Sequence, residues 1–548
     1  MSMRSLNRRQ LVGGASAAVA AAGAVKLSPA FAQDATPPAE LHPEASPVAA
    51  NDLPTVPPEL EVETNWAVEG GNLKQTRVAQ GSNISAATVA NLELAWKYDT
   101  TVAATYGAFV AYPAIVDGVI YQQTGLSDVI ALDLATGDVK WQNTYSLPVP
   151  SGGPNGVAVA YGNVYYPVGN SEVYCVSAET GEVIWQVDIT GPRGEGITTA
   201  PVVYGGLLYI STIPGSVDGF YQGGQRGAIN VLDAATGKLV WYFDTVVDNL
   251  WGNSMVNSGG GFWHPPAFDD EGFPYFSIAN ASPYPGTEEF PNGSSRPGPN
   301  DYANNIIKID PATAGLIWNT NVNPHDIFDL DNHLSPVVTS VTDSYGTEHK
   351  LVITSGKHGY VVAVEPETGE IIWQTPVGRH QNDKLDEIPE GETIEVYPGT
   401  LGGVETPFAV VDGKVITPVL NLPTYYTSTG IDASKLDFLG GNGEFVALNL
   451  LDGSVIWDTV IPTGNYGAAT VANDVVFGGG LDGVIRALDI NTGEQVWSYQ
   501  TTAGLVAPFA ISGDYLVVPS GGLFAASEDT VDPAPTYQAS LYAFKLGS

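Results

Sequence analysis

Cysteine is all but missing from this chain of 548 residues; Cys175 is the only one. A single thiol excludes a disulfide within the chain, and no Cys-x-x-Cys-His haem attachment is present either. Cys175 stands where a repeat elsewhere carries an apolar residue, so it reads as buried and inert. Basic residues are also scarce. There are 21 Lys and Arg against 59 Asp and Glu, a formal net charge of -38. Such a surface repels nucleic acid and anionic lipid, which argues against a nucleic-acid binder. It would suit a basic partner, with solubility or adaptation to salt as the plainer account. Charged residues make up only 15% while glycine reaches 63, a balance that favours strands and turns over helices. The apolar stretch Leu11–Val25 has fifteen small or apolar residues, too short to span a bilayer comfortably.

That stretch follows the basic pair Arg8-Arg9 and precedes Ala30-Phe31-Ala32, which has the form of a cleavage site. Residues 1–32 are therefore expected to be an export signal, and the paired arginines resemble the twin-arginine type. Residues 33–60, rich in Pro and Ala, read as a disordered leader. The expected location is periplasmic, cell-surface or extracellular, with no stable membrane span once the signal is removed.

Internal repeats organise the rest. An apolar pair, usually an Asp, a Thr-Gly turn and a Trp recur. Examples are VSAETGEVIW ending at Trp185, VLDAATGKLVW at Trp241 and ALDINTGEQVW at Trp497. The tryptophans fall at 96, 141, 185, 241, 318, 373, 457 and 497. The first copy keeps only its end, NLELAW, and the last only its start, LYAFKL. Half repeats at the two ends suit a ring closed by pairing the final strand with the first sheet. The expected fold is all-β, an eight-bladed β-propeller over residues 61–548, with each Trp packed between neighbouring blades. The intervals 241–318 and 373–457 are the longest, and insertions of that kind build binding sites at one end of a propeller.

Just past the first insertion lies NPHDIFDLD, Asn323–Asp331. Its flanks are strand-like, which would put Asp329 and Asp331 on one face and Phe328 and Leu330 on the other. Two carboxylates on one face repel unless a cation lies between them or one is protonated. The stretch is either a metal site with a nearby base or a solvated acidic loop.

The repeats, together with the segments between them, resemble the quinoprotein alcohol dehydrogenases, which bind pyrroloquinoline quinone (PQQ). The resemblance rests on the opening segment from Asn65 to Trp96, on GGGFW (Gly259–Trp263), SIANASPYP (Ser277–Pro285), RPGPNDYANNIIKID from Arg296, and NPHDIFDLD. GKHG (Gly356–Gly359), TTAP (Thr198–Pro201), LGGVETP (Leu401–Pro407) and TAGLVAP (Thr502–Pro508) add to it. It implies that Trp263 lies flat beneath the quinone, that Lys357 and Thr198 contact it, and that Asp329 is the catalytic base. It implies Asn280, Asp329 and Asp331 as metal ligands, Asp331 marking the lanthanide-using members. Departures accompany the likeness. The adjacent cysteines that those enzymes place over the quinone are missing from the region Val149–Gly156. The glutamate expected near Val110 is absent, and the Glu-type metal ligand has only Asp218 or Gln222 as candidates. His325 reads as structural, because hard-cation sites rarely use imidazole.

The implied function is metal-assisted oxidation of a small-molecule hydroxyl compound by PQQ, with calcium or a lanthanide as the ion. Electrons would go to an external acceptor such as a cytochrome c. The competing reading is a non-catalytic propeller of the same repeat type, acting as a scaffold or binding protein.

Overall fold

The computed structural model describes residues 53–149, 155–190, 194–217, 220–221, 223–522 and 537–547; the expected export signal, most of the leader, Asp218 and Gln222 lie outside these. Among the described residues, six sheets have four antiparallel strands, and a five-stranded and a six-stranded sheet contain the same four with further short strands added. The first is Ala114–Val116, Val119–Gln123, Val129–Asp133 and Val139–Asn143. The inner strands are buried almost throughout, whereas outermost ones such as Val183–Asp188 are largely exposed. This is why the inner strands read as continuous apolar runs. The last sheet takes Ser540–Leu546 from the end of the chain and pairs it antiparallel with Leu92–Asp99, Leu92 opposite Leu546 and Asp99 opposite Ser540. Among the described residues, no helix is long and apolar enough to cross a membrane.

The recurrent tryptophans dock sheet on sheet. Trp96 Nε1 donates to the Leu134 carbonyl of the next sheet at 2.9 Å, Trp141 to Ala178 at 3.0 Å, and Trp373 to Leu450 at 3.1 Å. The turn glycine lies flat on the preceding indole. A Cβ on Gly137 would come 2.7 Å from the Trp96 ring. Trp241 breaks this pattern: its buried indole N–H has no hydrogen-bond partner among the described residues. Ala314 takes the glycine place in the following turn, at φ 56°.

A second tie has no periodic signal. The segment from Trp66 to Arg77 runs past the first strands of successive sheets and bonds them in turn. Trp66 N donates to Ile115 O at 2.7 Å and Val159 N to Ala67 O at 3.0 Å. Phe268 N donates to Leu73 O at 2.9 Å, Val338 N to Lys74 O at 3.2 Å, Val410 N to Thr76 O at 3.1 Å and Val471 N to Arg77 O at 2.9 Å. This girdle joins six of the sheets from the inside.

Cys175 is 1% exposed, and burial pushes its thiol up to about 12, in line with the inert residue expected.

Candidate functional site

Strand direction alternates within each sheet, so the loop entering the first strand and the loop joining the second to the third lie at the same end. Thr198, Trp263, Asp329 and Asp331 lie on entering loops, ahead of Val202–Tyr204, Ala267–Phe268 and Val337–Thr342. Asn280 and Lys357 follow the second strands Pro274–Ser277 and Glu348–Thr354. Topology therefore delivers these side chains to one mouth of the ring.

There Asn280, Asp329, Asp331 and Trp263 meet around a lysine. Lys357 Nζ lies 3.1 Å from Asp329 Oδ2 and 3.1 Å from Asp331 Oδ1. Asn280 Nδ2 donates to Asp329 Oδ1 at 2.8 Å, and the Thr400 hydroxyl donates to Asp329 Oδ2. Lys357 Nζ stands 6.0 Å from the centroid of the Trp263 ring. Trp263 and Asn280 line a small cavity with Ile213, Pro214, Gly259 and Gly260. The glycines before Trp263 are required by space: a Cβ on Gly260 would lie 2.4 Å from Thr245 Oγ1, and one on Gly261 2.5 Å from Thr212 O. Thr198 is buried, with no hydrogen-bond partner for its hydroxyl among the described residues. Gly196, two residues earlier, pairs with Ile213 of the cavity wall.

NPHDIFDLD is not a strand. It is a loop in which Asp329 adopts φ 63°, the left-handed region. Asp329 and Asp331 still turn the same way, both onto Lys357, while Phe328 and Leu330 join an apolar cluster with Ile388, Val396 and Tyr426. A turn rather than a pleat produces the shared face. His325 Nδ1 contacts the Gly298 carbonyl at 3.0 Å and stands apart from the carboxyl groups.

Sequence reasoning missed Thr400, Glu405 and His333. His333 Nε2 lies 3.5 Å from Glu405 Oε2, and its Nδ1 lies 3.8 Å from Asp331 Oδ1. Glu405 stands in LGGVETP, where a lone carboxylate in a glycine loop was the available signal. Burial drives the Asp329 carboxyl up to about 7; Lys357 pulls it down and Asp331 pushes it further up. Burial likewise takes Glu405 up to about 8, again against the pull of Lys357. For Lys357, burial works against the charge, but Asp329, Asp331 and Glu405 outweigh it and hold the ammonium well above the usual lysine range. Burial lowers His333 to about 4, so its imidazole is neutral.

Asp329, Asp331 and Glu405 thus share one ammonium, a surplus of buried negative charge that a hard cation with oxygen ligands would relieve. The expected four-residue ligand set is only partly assembled. Asp218 lies outside the described residues, and no three His, Cys, Asp or Glu among the described residues are grouped closely enough to hold a metal. The indole of Trp263, the nearby ammonium and the unpaired Thr198 hydroxyl are a donor set that fits a flat, anionic quinone.

His358, next to Lys357, is held neutral by the same loop. Tyr360 N donates to His358 Nδ1 at 3.1 Å, and Nε2 faces Asn332 Oδ1 at 3.4 Å. Burial lowers its pKa to about 3, with Lys384 adding to the effect. Because the unfolded ring takes a proton below about pH 6.5, the residue's contribution is intact above that pH and is lost as pH falls towards 3. In urea unfolding of wild type and His358→Gln, the stability advantage of wild type at pH 7 is expected to shrink by about 2 kcal/mol at pH 5. An advantage that stays constant between the two pH values would contradict a neutral, buried His358.

The family described as "Glucose/ethanol/alcohol dehydrogenase, beta-propeller domain" matches residues 66–377, and that described as "Outer membrane protein assembly factor BamB" matches residues 422–530. Quinohemoprotein alcohol dehydrogenase ADH IIB of Pseudomonas putida is 26% identical over 521 residues, 83% of this chain and 73% of that protein. Lupanine 17-hydroxylase [cytochrome c] of a Pseudomonas species is 24% identical over 561 residues, 88% of this chain and 77% of that one. The crystal structure of quinohemoprotein alcohol dehydrogenase from Comamonas testosteroni has the same fold. It superposes with a TM-score of 0.75 at 22% identity, over 89% of this chain and 82% of that one.

Proposed function

The chain belongs to the family of glucose/ethanol/alcohol dehydrogenase β-propeller domains, the PQQ-dependent dehydrogenases, and on that premise we propose that it oxidises an alcohol or related hydroxyl compound with the help of a calcium or lanthanide ion. The observation that carries this reading is the meeting of Asn280, Asp329, Asp331 and Lys357 beside the indole of Trp263. A scaffold has no need of a buried lysine shared by carboxyl groups at one mouth of the ring.

PQQ, when bound, supplies the acceptor for the hydride equivalent leaving the substrate carbon. Trp263 would hold it by stacking, and Lys357 and Thr198 by hydrogen bonds to its oxygens. Asn280, Asp329 and Asp331 would hold the cation through oxygen, with Asp218 as a further candidate. The extra charge of Asp331 favours a trivalent ion. Asp329 accepts the substrate hydroxyl proton at a carboxylate oxygen. Burial, with Asp331 adding to it, pushes the Asp329 carboxyl up to about 7 despite the pull of Lys357, so a cation beside it would secure the ionised form. Electrons would leave to an external acceptor such as a cytochrome c. Residues 1–32 would direct export to the periplasm, the cell surface or the medium.

Reconstitution with PQQ and either calcium or lanthanum is expected to yield dye-linked alcohol oxidation. Failure of both mixtures across short- and long-chain alcohols, despite correct folding, would leave the scaffold reading.

A further inference from the structure

Asp326 takes no part in the chemistry proposed above, yet it is a carboxylate only 4% exposed, three residues before Asp329. Its two oxygens straddle that residue. Oδ1 accepts from Phe328 N and Oδ2 from Leu330 N, each at 2.8 Å. The opposite ends of the same two residues are tied as well. The Tyr426 hydroxyl donates to Phe328 O, and Asn323 Nδ2 donates to Leu330 O at 3.0 Å. Asp326 is itself held from behind by Arg296, which is fully buried. Its Nη2 donates to Asp326 O at 2.6 Å and to Pro283 O at 3.0 Å, and Nη1 donates to Asn300 Oδ1.

The residues on both sides of Asp329 are therefore pinned at N–H and at C=O, and their side chains are locked in an apolar cluster. Asp329 is left with a left-handed backbone, uncommon for a residue with a side chain. A free loop would relax towards ordinary backbone angles and swing the carboxylate away from Asn280, Thr400 and Lys357. Reaction rates are sensitive to such displacement; a misplacement of about 1 Å can cost about 100-fold.

We propose that Asp326, braced by Arg296 and assisted by Tyr426, is the positioning residue that sets the backbone of Asp329 and so aims its carboxylate at the substrate hydroxyl. The proposal rests on Asp329 acting as the base.

The test compares PQQ-reconstituted wild type with Asp326→Asn, Asp326→Ala and Tyr426→Phe, rates being normalised to bound PQQ. Asparagine keeps one acceptor of the two and alanine none. The expected fall in kcat is about tenfold for Asp326→Asn and about 100-fold for Asp326→Ala. KM for the alcohol and PQQ affinity, read from quenching of tryptophan fluorescence, should stay within about threefold. Amide hydrogen exchange should accelerate within residues 326–331 and not in the docking tryptophan strands. Tyr426→Phe is nearly isosteric and keeps a readable variant if Asp326→Ala does not fold; its kcat should fall by about threefold to tenfold. A lowered melting temperature with kcat per bound PQQ unchanged in Asp326→Asn and Tyr426→Phe would overturn the proposal and leave Asp326 a purely structural residue. Asp329→Asn serves as the control. If that variant keeps its rate, the base assignment itself fails; if it is inactive while Asp326→Asn is not, only the positioning role fails.

Discussion

Asp329→Asn is expected to reduce kcat by 10²- to 10⁴-fold, about the range that a positioned general base contributes. The substitution is close to isosteric and leaves an oxygen for Thr400 or Lys357, so binding of PQQ should survive while proton acceptance does not. Asp329→Ala removes more, because Lys357 Nζ and Asn280 Nδ2 both lose a partner. The two variants should therefore agree in rate and differ in stability. Dye-linked oxidation at saturating alcohol, normalised to bound PQQ, measures the first; thermal unfolding measures the second. An asparagine variant that retains a tenth or more of wild-type kcat would show that another group takes the proton.

The largest effect on stability is expected at Arg77, which is 1% exposed and makes four hydrogen bonds. Its Nε donates to Ala469 O and its Nη1 to Glu69 O, each at 2.6 Å. Its Nη2 donates to Thr470 Oγ1 at 2.6 Å and to Phe509 O at 3.1 Å. The side chain thus joins the girdle to the last two sheets of the ring. Burying a guanidinium is costly: burial lowers its pKa to about 10, against the opposing pull of Glu69. Arg77→Met removes that cost, and a buried ionic group replaced together with its partners can be neutral. Here the partners remain. Hydrogen bonds to a charged donor, each worth about 1.5–3 kcal/mol, are lost in a place water does not reach; Ala469 O loses its donor, while Glu69 O keeps the Trp66 indole N–H and Phe509 O keeps the Thr470 hydroxyl. The net loss is expected to be about 4 kcal/mol or more, read as a drop in the urea midpoint with the slope unchanged. A loss below about 1 kcal/mol would mean that the girdle contributes little to closing the ring.

Much of the architecture was legible because it is local and periodic. A Trp that must lie on the glycine of the next sheet's turn imposes a motif on every unit, so Trp96 with Gly137 and Trp373 with Gly453 could be read as letters. The half repeats at Trp96 and at Leu541–Leu546 foretold the pairing of Leu92–Asp99 with Ser540–Leu546 for the same reason. The girdle escaped because each of its residues bonds a different sheet, which leaves no period to detect. Trp241 went unnoticed as an exception, since the Ala314 that displaces the turn glycine changes one letter only.

The site was half legible. Trp263, Asn280, Asp329, Asp331 and Lys357 were identified by likeness to known enzymes, and they meet in space. Glu405 and Thr400 stood in or next to a quoted segment without a role, because their part depends on charges that come from other blades. The pleated reading of NPHDIFDLD failed because Asp326 captures the backbone N–H groups of Phe328 and Leu330, which a ladder would otherwise use.

What the sequence alone determined was the repeating unit and the way the ring closes, since both follow from contacts between each Trp and a turn at a fixed remove along the chain. The balance of charge at the mouth was decided only in three dimensions. One lysine answers three carboxyl groups drawn from loops separated by up to 76 residues of chain, from Asp329 to Glu405. Electrostatic energy depends on distance and burial rather than on order along the chain, and only the closed ring sets those.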